Sequence, residues 1–321
     1  MYCWEATGLI QYVHNLCHFN CVSVFKKFLD TVHGYRLYLE NSSFIANMAH
    51  KDGGAIDGFD LSFVLIKNCV FFRNFAQGQG GCFYGEKIGK INIINSKFTM
   101  NKAKKAGGSI TLFNCRVIYG TNCTFMYNKA IGEHKNNNNM NCMPSNNGAA
   151  GSIIVISCLN IMISFCKFLF NSAIKSGAIS IQNIDEIIIN NSEFINNSAC
   201  ACGGAIFITN MQVFISIYCT FCNNRLPPTN SARGGAMYII NTKQCISKHM
   251  TCHHNKGFGG CFYISKAKDV FISRGNFFCN NAVQIGGAFA FQTTINIQIF
   301  ESRCVKNSAK VWGGCICTLY A

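Results

Sequence analysis

The chain has 321 residues, of which 49% are hydrophobic, 13% are charged and only three are proline. That composition excludes a disordered or linker-rich polymer, and its abundance of Gly, Asn and β-branched residues favours a repetitive β protein over a helical enzyme. The net charge of +15 bears on encounters with polyanions rather than on fold, and the lysines are scattered, the densest cluster being Lys102, Lys104 and Lys105.

At the N-terminus, residues 1–16 contain Glu5, Gln11 and His14 and show neither the basic start nor the apolar centre of a secretory signal. If the protein is exported, its true start is expected upstream. Residues 1–35 are expected to form a degenerate first coil and a cap, with Cys17 and Asn20 as the first worn marker and a short amphipathic helix over Val22 to Val32.

From there a phrase F-x-x-N followed by a glycine pair returns along the chain. Its asparagines are Asn20, Asn47, Asn74, Asn101, Asn128, Asn171, Asn197, Asn224, Asn255, Asn281 and Asn307, at intervals of 27, 27, 27, 27, 43, 26, 27, 31, 26 and 26. A steady period broken by two insertions means a solenoid. The aromatic of the phrase is Phe44, Phe71, Phe98, Phe125, Phe168, Phe194, Phe221 and Phe278, with Cys252 and Cys304 in the remaining two turns. Alternating pairs precede it, such as Leu37/Leu39, Val64/Ile66 and Ile91/Ile93, and side chains two apart on a strand share a face.

Residues 133–148 have no apolar periodicity and are expected to be a loop ejected from one corner. The more apolar stretch after it, Ile153 to Phe170, contains Asn160 and Lys167 and belongs to the repeat rather than to a membrane span. A second insertion, residues 225–232, holds Pro227 and Pro228, which places a turn between Asn224 and Gly234. The sequence stops eight residues after Gly313. A continuation of the array, or a partner, is expected to cover the open last coil.

Short alternating strands separated by Gly and Asn corners every 26–27 residues predict a parallel β-helix of 10–11 turns over residues 36–321. Leucine-rich repeats share the period but spend leucine at fixed offsets and lack paired glycines, of which this chain has eight. The Phe and Asn positions are assigned as structural ladders, the rings filling the interior and the amides serving the turns. The glycine pairs are followed by small residues, among them Ala55, Cys82, Ser109, Cys261 and Cys315. Cysteine therefore alternates with serine and alanine, which favours buried free thiols over a disulfide framework, although 21 is an odd count.

The pairing of F-x-x-N with GGAI, at Gly53–Ile56 and Gly203–Ile206 with variants at Gly234–Met237, Gly286–Phe289 and Gly313–Ile316, resembles the repeats of the chlamydial polymorphic outer membrane proteins, also found in surface proteins of some protists. The likeness covers about residues 17–316. It implies a right-handed coil, surface display and an adhesin-like role. The sequence departs from it in showing neither a signal nor a C-terminal membrane barrel.

The residues able to carry chemistry are the acids and a cluster of Cys and His. Asp57 and Asp60, with Glu86 one turn later, are the only carboxylates spaced to face one cleft as a glycosidase requires. Cys245, His249, Cys252, His253 and His254 have zinc-like spacing, but Cys252 is expected to point inward and His253 outward. His14 with His18, and Cys200 with Cys202, are weaker candidates. No catalytic, cofactor or metal residue is assigned from sequence, and nucleic acid is disfavoured because the aromatics are expected to be committed to the core. The expectation is a non-enzymatic rod at the cell surface or outside the cell, meeting proteins or glycans through a lateral face. An intracellular scaffold and a glycan-processing lyase or hydrolase are the alternatives.

Overall fold

The computed structural model describes residues 35–132, 150–228 and 232–319, together with the backbone of the strands Trp4–Glu5, Gln11–Val13 and Val22–Val24. The described residues form an all-β solenoid of about 10 turns, with no helix among them. At about 4.8 Å per turn this makes a rod on the order of 50 Å long.

One turn shows the plan. Ile56–Phe59 and Leu61–Lys67 build the long wall, Val70–Phe72 a second wall and Phe75–Ala76 a third, before Gly80 and Gly81 close the circuit. The strands then pair in parallel with their counterparts one period on, as in Ile56↔Phe83, Val64↔Ile91 and Phe71↔Phe98. Alternation decides what turns inward: Val64, Ile66, Phe71, Ile91, Ile93 and Phe98 are all buried. Between the two long-wall segments Asp60 takes a φ of 54°, and the same bend persists at Asn183 (φ 56°) inside the twelve-residue strand Ile179–Asn190.

The Phe row is a continuous column. From Phe44 through Phe71, Phe98, Phe125, Phe168 and Phe194 to Phe221, centroids lie 4.7–4.9 Å apart with planes within 6° of parallel. That separation exceeds face-to-face contact, so the rings are offset, the arrangement their quadrupoles favour.

The Asn row runs beside it. Asn74 Oδ1 accepts both the backbone N–H (3.0 Å) and the side-chain amide (2.8 Å) of Asn47, while Asn74 Nδ2 donates to the Phe44 carbonyl (2.9 Å) and to Asn101 Oδ1 (2.9 Å). The pattern continues through Asn128, Asn171, Asn197, Asn224 and Asn255. A side chain that gives and accepts along the axis must carry both an N–H and a C=O, which accounts for asparagine here.

The row corrects the sequence reading at one rung. Asn255 pairs with Asn280, and Asn280 with Asn307. Likewise Cys252 is in register with Phe277, itself opposite Cys304. Phe277 is fully buried, whereas Phe278 is half-buried on the outside and Asn281 is exposed. The text FFCNN fits F-x-x-N in two phases. Packing selects the phase that puts Phe277 five residues after the inward Ile272, as Phe71 follows Ile66 and Phe98 follows Ile93.

Serine and cysteine alternate in a third inward row for a matching reason. Ser42, Ser96 and Ser192 donate to the carbonyl two residues back at 2.8 Å, and Cys69, Cys123 and Cys219 make the same bond through sulfur at 3.2–3.4 Å. Thirteen described cysteines are free, most of them buried, and two disulfides, Cys252–Cys261 and Cys304–Cys315, stand beside them.

At the N-terminal end Val22–Val24 is a strand paired with Ile56–Gly58, and Trp4–Glu5 pairs with Val22–Ser23. The helix expected over Val22 to Val32 therefore gives way to strand at 22–24, where the edge of the long wall supplies backbone partners. Its remainder, Cys17, Asn20, His14, His18 and the loop 133–148 lie outside the described residues. In the second insertion Arg225 still bridges Ser198 and Lys256, and buried Leu226 packs with Ala199 and Ala232. No helix among the described residues is long and apolar enough to cross a membrane.

Candidate functional site

The internal rows are saturated with one another, so what remains for chemistry lies on the outside of the coil. Three places there carry an unusual concentration of polar groups.

The acids come first. Asp57 shares an outward row with Tyr84 and Thr111. Later turns fill that row with buried Ile154, Phe207, Tyr238 and Tyr263. Asp57 thus occupies a place that the fold tends to cover, and its pKa is pushed up to about 6, chiefly by burial and then by the charges of Asp52 and Glu86. Tyr84 donates its hydroxyl to Glu86 Oε2 at 3.1 Å, and Asp52 Oδ1 accepts the Gln79 N–H at 2.6 Å. Asp60 belongs to the bend, where its backbone N–H donates to the Glu86 carbonyl. The trio expected from sequence therefore resolves into Asp57 and Glu86, with Tyr84 added by the same row one turn on and Asp52 by the preceding turn.

The second place is a groove of about 680 Å³ along the bend of the long wall in the later turns. One bank is the row Asn183, Asn210, Asn241, Lys266 and Thr293, and the other is Asp185, Gln212, Lys243, Lys268 and Ile295. Ile184, Met211, Thr242 and Ala267 are buried between them. The three asparagines form an external ladder, with Asn210 Nδ2 donating to Asn183 Oδ1 (3.0 Å) and Asn241 Nδ2 to Asn210 Oδ1 (2.7 Å). Each has a φ of 56–57°, a conformation asparagine tolerates. Lys243, Lys266 and Lys268 are exposed and the banks hold one acid, Asp185, so the groove is net positive.

The Cys/His text is the third, and the structure separates it. Cys245 is buried, Cys252 is bonded to Cys261, and His249 stacks on Tyr218 at 4.5 Å. His253 and His254 stay together outside, Nδ1 to Nδ1 at 2.9 Å. Both face the same way because His254 has a φ of 57°, which interrupts the alternation. The His253 ring stacks on Phe278 at 4.7 Å, and its pKa is lowered by burial first and by His254 second. Among the described residues no group of three or more His, Cys, Asp or Glu already converges as a metal site. Cys200 and Cys202 are half-buried free thiols, and burial pushes Cys202 up to about 11 against the opposing pull of Lys175 and Arg233.

Sequence reasoning missed the outward aromatic rows, such as Tyr127 on Phe170 at 4.9 Å. The equal offsets of these residues from the Phe marker carried the signal. Not all aromatics are committed to the interior, since Phe165 and Tyr218 are each 57% exposed. No family model, curated protein or solved structure matches the chain.

Proposed function

We propose that the chain is a non-enzymatic, adhesin-like rod, displayed at the cell surface or outside the cell, that meets protein or glycan through its lateral groove. The observation that carries this reading is the groove itself. The Asn47-to-Asn307 row is consumed inside the coil, whereas the banks present exposed amides and lysines at one-turn spacing on a rigid support. The resemblance of the GGAI and F-x-x-N text to polymorphic outer membrane repeats agrees with it, as do two disulfides, which persist in oxidising compartments.

The test is binding of the purified chain to immobilised glycans and to intact cells, compared with a Lys243→Glu, Lys266→Glu, Lys268→Glu variant. The expected result is specific binding that the variant weakens at least about tenfold, a loss of ~1.4 kcal/mol, with an unchanged β spectrum. Absence of binding, or equal binding by both proteins, overturns the reading.

A second reading, a glycan-processing enzyme, is favoured by Asp57, a half-buried carboxyl held near neutrality beside Asp52 and Glu86. Its test is release of reducing ends from acidic and neutral polysaccharides, abolished by Asp57→Asn. No release by the wild type removes it.

A further inference from the structure

Two exposed rings beside the second wall are unexplained by the coil. Tyr127 and Phe170 are 45% and 42% exposed. Each holds a φ of 55°, a conformation costly for a bulky side chain, at a position that later turns give to Asn196 and Asn223. Their centroids lie 4.9 Å apart with planes 16° from parallel, so the ring faces point along the rod. Met100, 36% exposed, precedes them in the same row. Neither burial nor backbone geometry requires an aromatic here.

The charge around the rings is one-sided. Segments 70–79, 97–106, 124–132 and 167–175 span the second and third walls of four turns, and they hold eight Lys and Arg and no Asp or Glu. Seven of the eight are exposed. The two flanking turns bring one acid each, and both are engaged: Asp52 Oδ1 accepts the Gln79 N–H at 2.6 Å, and Glu193 pairs with Lys167 at 3.4 Å. Lys102 and Lys129 stand opposite each other on adjacent strands, one spacing of about 4.8 Å apart, where like charges repel. Arg73, Asn74, Phe75, Met100, Lys102 and Tyr127 line a hollow of about 500 Å³ beside them.

We propose that this face binds single-stranded nucleic acid, with phosphates against the Lys and Arg side chains and bases against the Tyr127–Phe170 stack. The proposal is independent of the role of the groove, which runs along the long wall. Cations beside exposed rings hold a strand without regard to sequence, since every base has a π-face. A single strand leaves those faces free, whereas a duplex buries them in its own stack and presents only base edges. An acidic glycan matches the charges but has no π-face to set against the rings. Phosphates also offset the repulsion between Lys102 and Lys129, and the counterions they release make binding salt-dependent. Rings committed to the interior would exclude such a ligand, and these two lie outside it.

The experiment is fluorescence anisotropy of a labelled oligo-dT strand titrated with the intact chain at several salt concentrations. The same titration is made with a duplex, with an abasic deoxyribose-phosphate strand of equal length, and with heparin as the acidic glycan. The substitutions are taken from the protein's own rows so that the coil is preserved: Tyr127→Asn with Phe170→Asn, as at Asn196, and Lys102→Ser with Lys129→Ser, as at Ser172. Saturable oligo-dT binding is expected, weakened ~10-fold or more by loss of the two rings and as much by loss of the bases. The lysine variant should lower the slope of log K against log salt by about 1.4, and the ring variant should leave heparin binding unchanged. Absence of oligo-dT binding overturns the proposal. So does oligo-dT binding that the ring substitutions leave unaltered, or equal binding of the duplex or the abasic strand, which assigns the face to polyanions in general. Heparin binding weakened by the ring substitutions as much as oligo-dT binding overturns it too, and assigns the rings to sugar.

Discussion

Cys252 and Cys261 occupy, in one turn, the two inward positions that most turns give to phenylalanine and a small residue, and a disulfide joins them with 6.4 Å between Cα atoms. Cys304 and Cys315 repeat the exchange two turns later. The lost ring is replaced from elsewhere: Phe262, one residue after Cys261, meets Phe221 edge-on at 5.9 Å and Phe277 at 6.0 Å. Core volume is thereby kept while the aromatic moves to another wall.

Reducing the Cys252–Cys261 bridge should therefore cost stability through the unfolded state, by ~2–3 kcal/mol for a loop of this length. Denaturant unfolding with and without reductant, with peptide mapping of the oxidised form, measures it. Cys252→Phe with Cys261→Ala is a poor rescue, because Phe262 already fills the space. If that variant proves as stable as the oxidised wild type, the volume argument fails.

The revised register makes a sharp contrast between adjacent asparagines. Asn280→Ala removes the acceptor of the Asn255 backbone N–H, one acceptor of the Asn255 side-chain amide and the side-chain donor to the Cys252 carbonyl, an expected loss of ~2–4 kcal/mol. Asn281→Ala changes an exposed side chain and should fall within ~0.5 kcal/mol of the wild type. Equal effects in urea unfolding would reinstate the other phase.

Two glycines should respond in opposite directions. A Cβ on Gly204 would overlap the Gly235 carbonyl oxygen of the next turn, so Gly204→Ala should break the stacking there. Gly120 lies in the inward row between Ile93 and Ile163, beside a small apolar gap, and a Cβ there meets nothing within 4 Å. Gly120→Val should stabilise by about 1 kcal/mol through filling that gap and stiffening the unfolded chain, measured as a raised unfolding midpoint.

For Asp57 the sign follows from a folded pKa of about 6, above the ordinary 3.8. The folded state holds the proton more tightly, so this contribution is complete below about pH 4 and is lost as the pH rises through 6. Asp57→Asn should thus raise stability at pH 7–8 by on the order of 1–2 kcal/mol, discounted for partial exposure, relative to its effect at pH 3.5. Unfolding curves at the two pH values check it, and a difference of opposite sign would refute the assignment.

The sequence by itself determined the solenoid. Period-2 alternation before each Phe, the Asn three residues on and the glycine pair recur at one interval, and a residue type that must bond to its own counterpart a turn away writes itself into the text at that interval. It also determined that Cys252 points inward and His253 outward, since alternation on a strand is local. Tertiary structure decided what depends on two turns at once. It chose between the phases of FFCNN because only Phe277 meets Cys252 and Cys304 in the interior. It joined Cys252 to Cys261 because a wall and a corner nine residues apart face each other across the core. It raised Asp57 because the corner covers that row, and it turned His254 toward His253 through one left-handed residue. Spacing along a chain records which row a residue occupies, while contact between rows is set by how the coil closes.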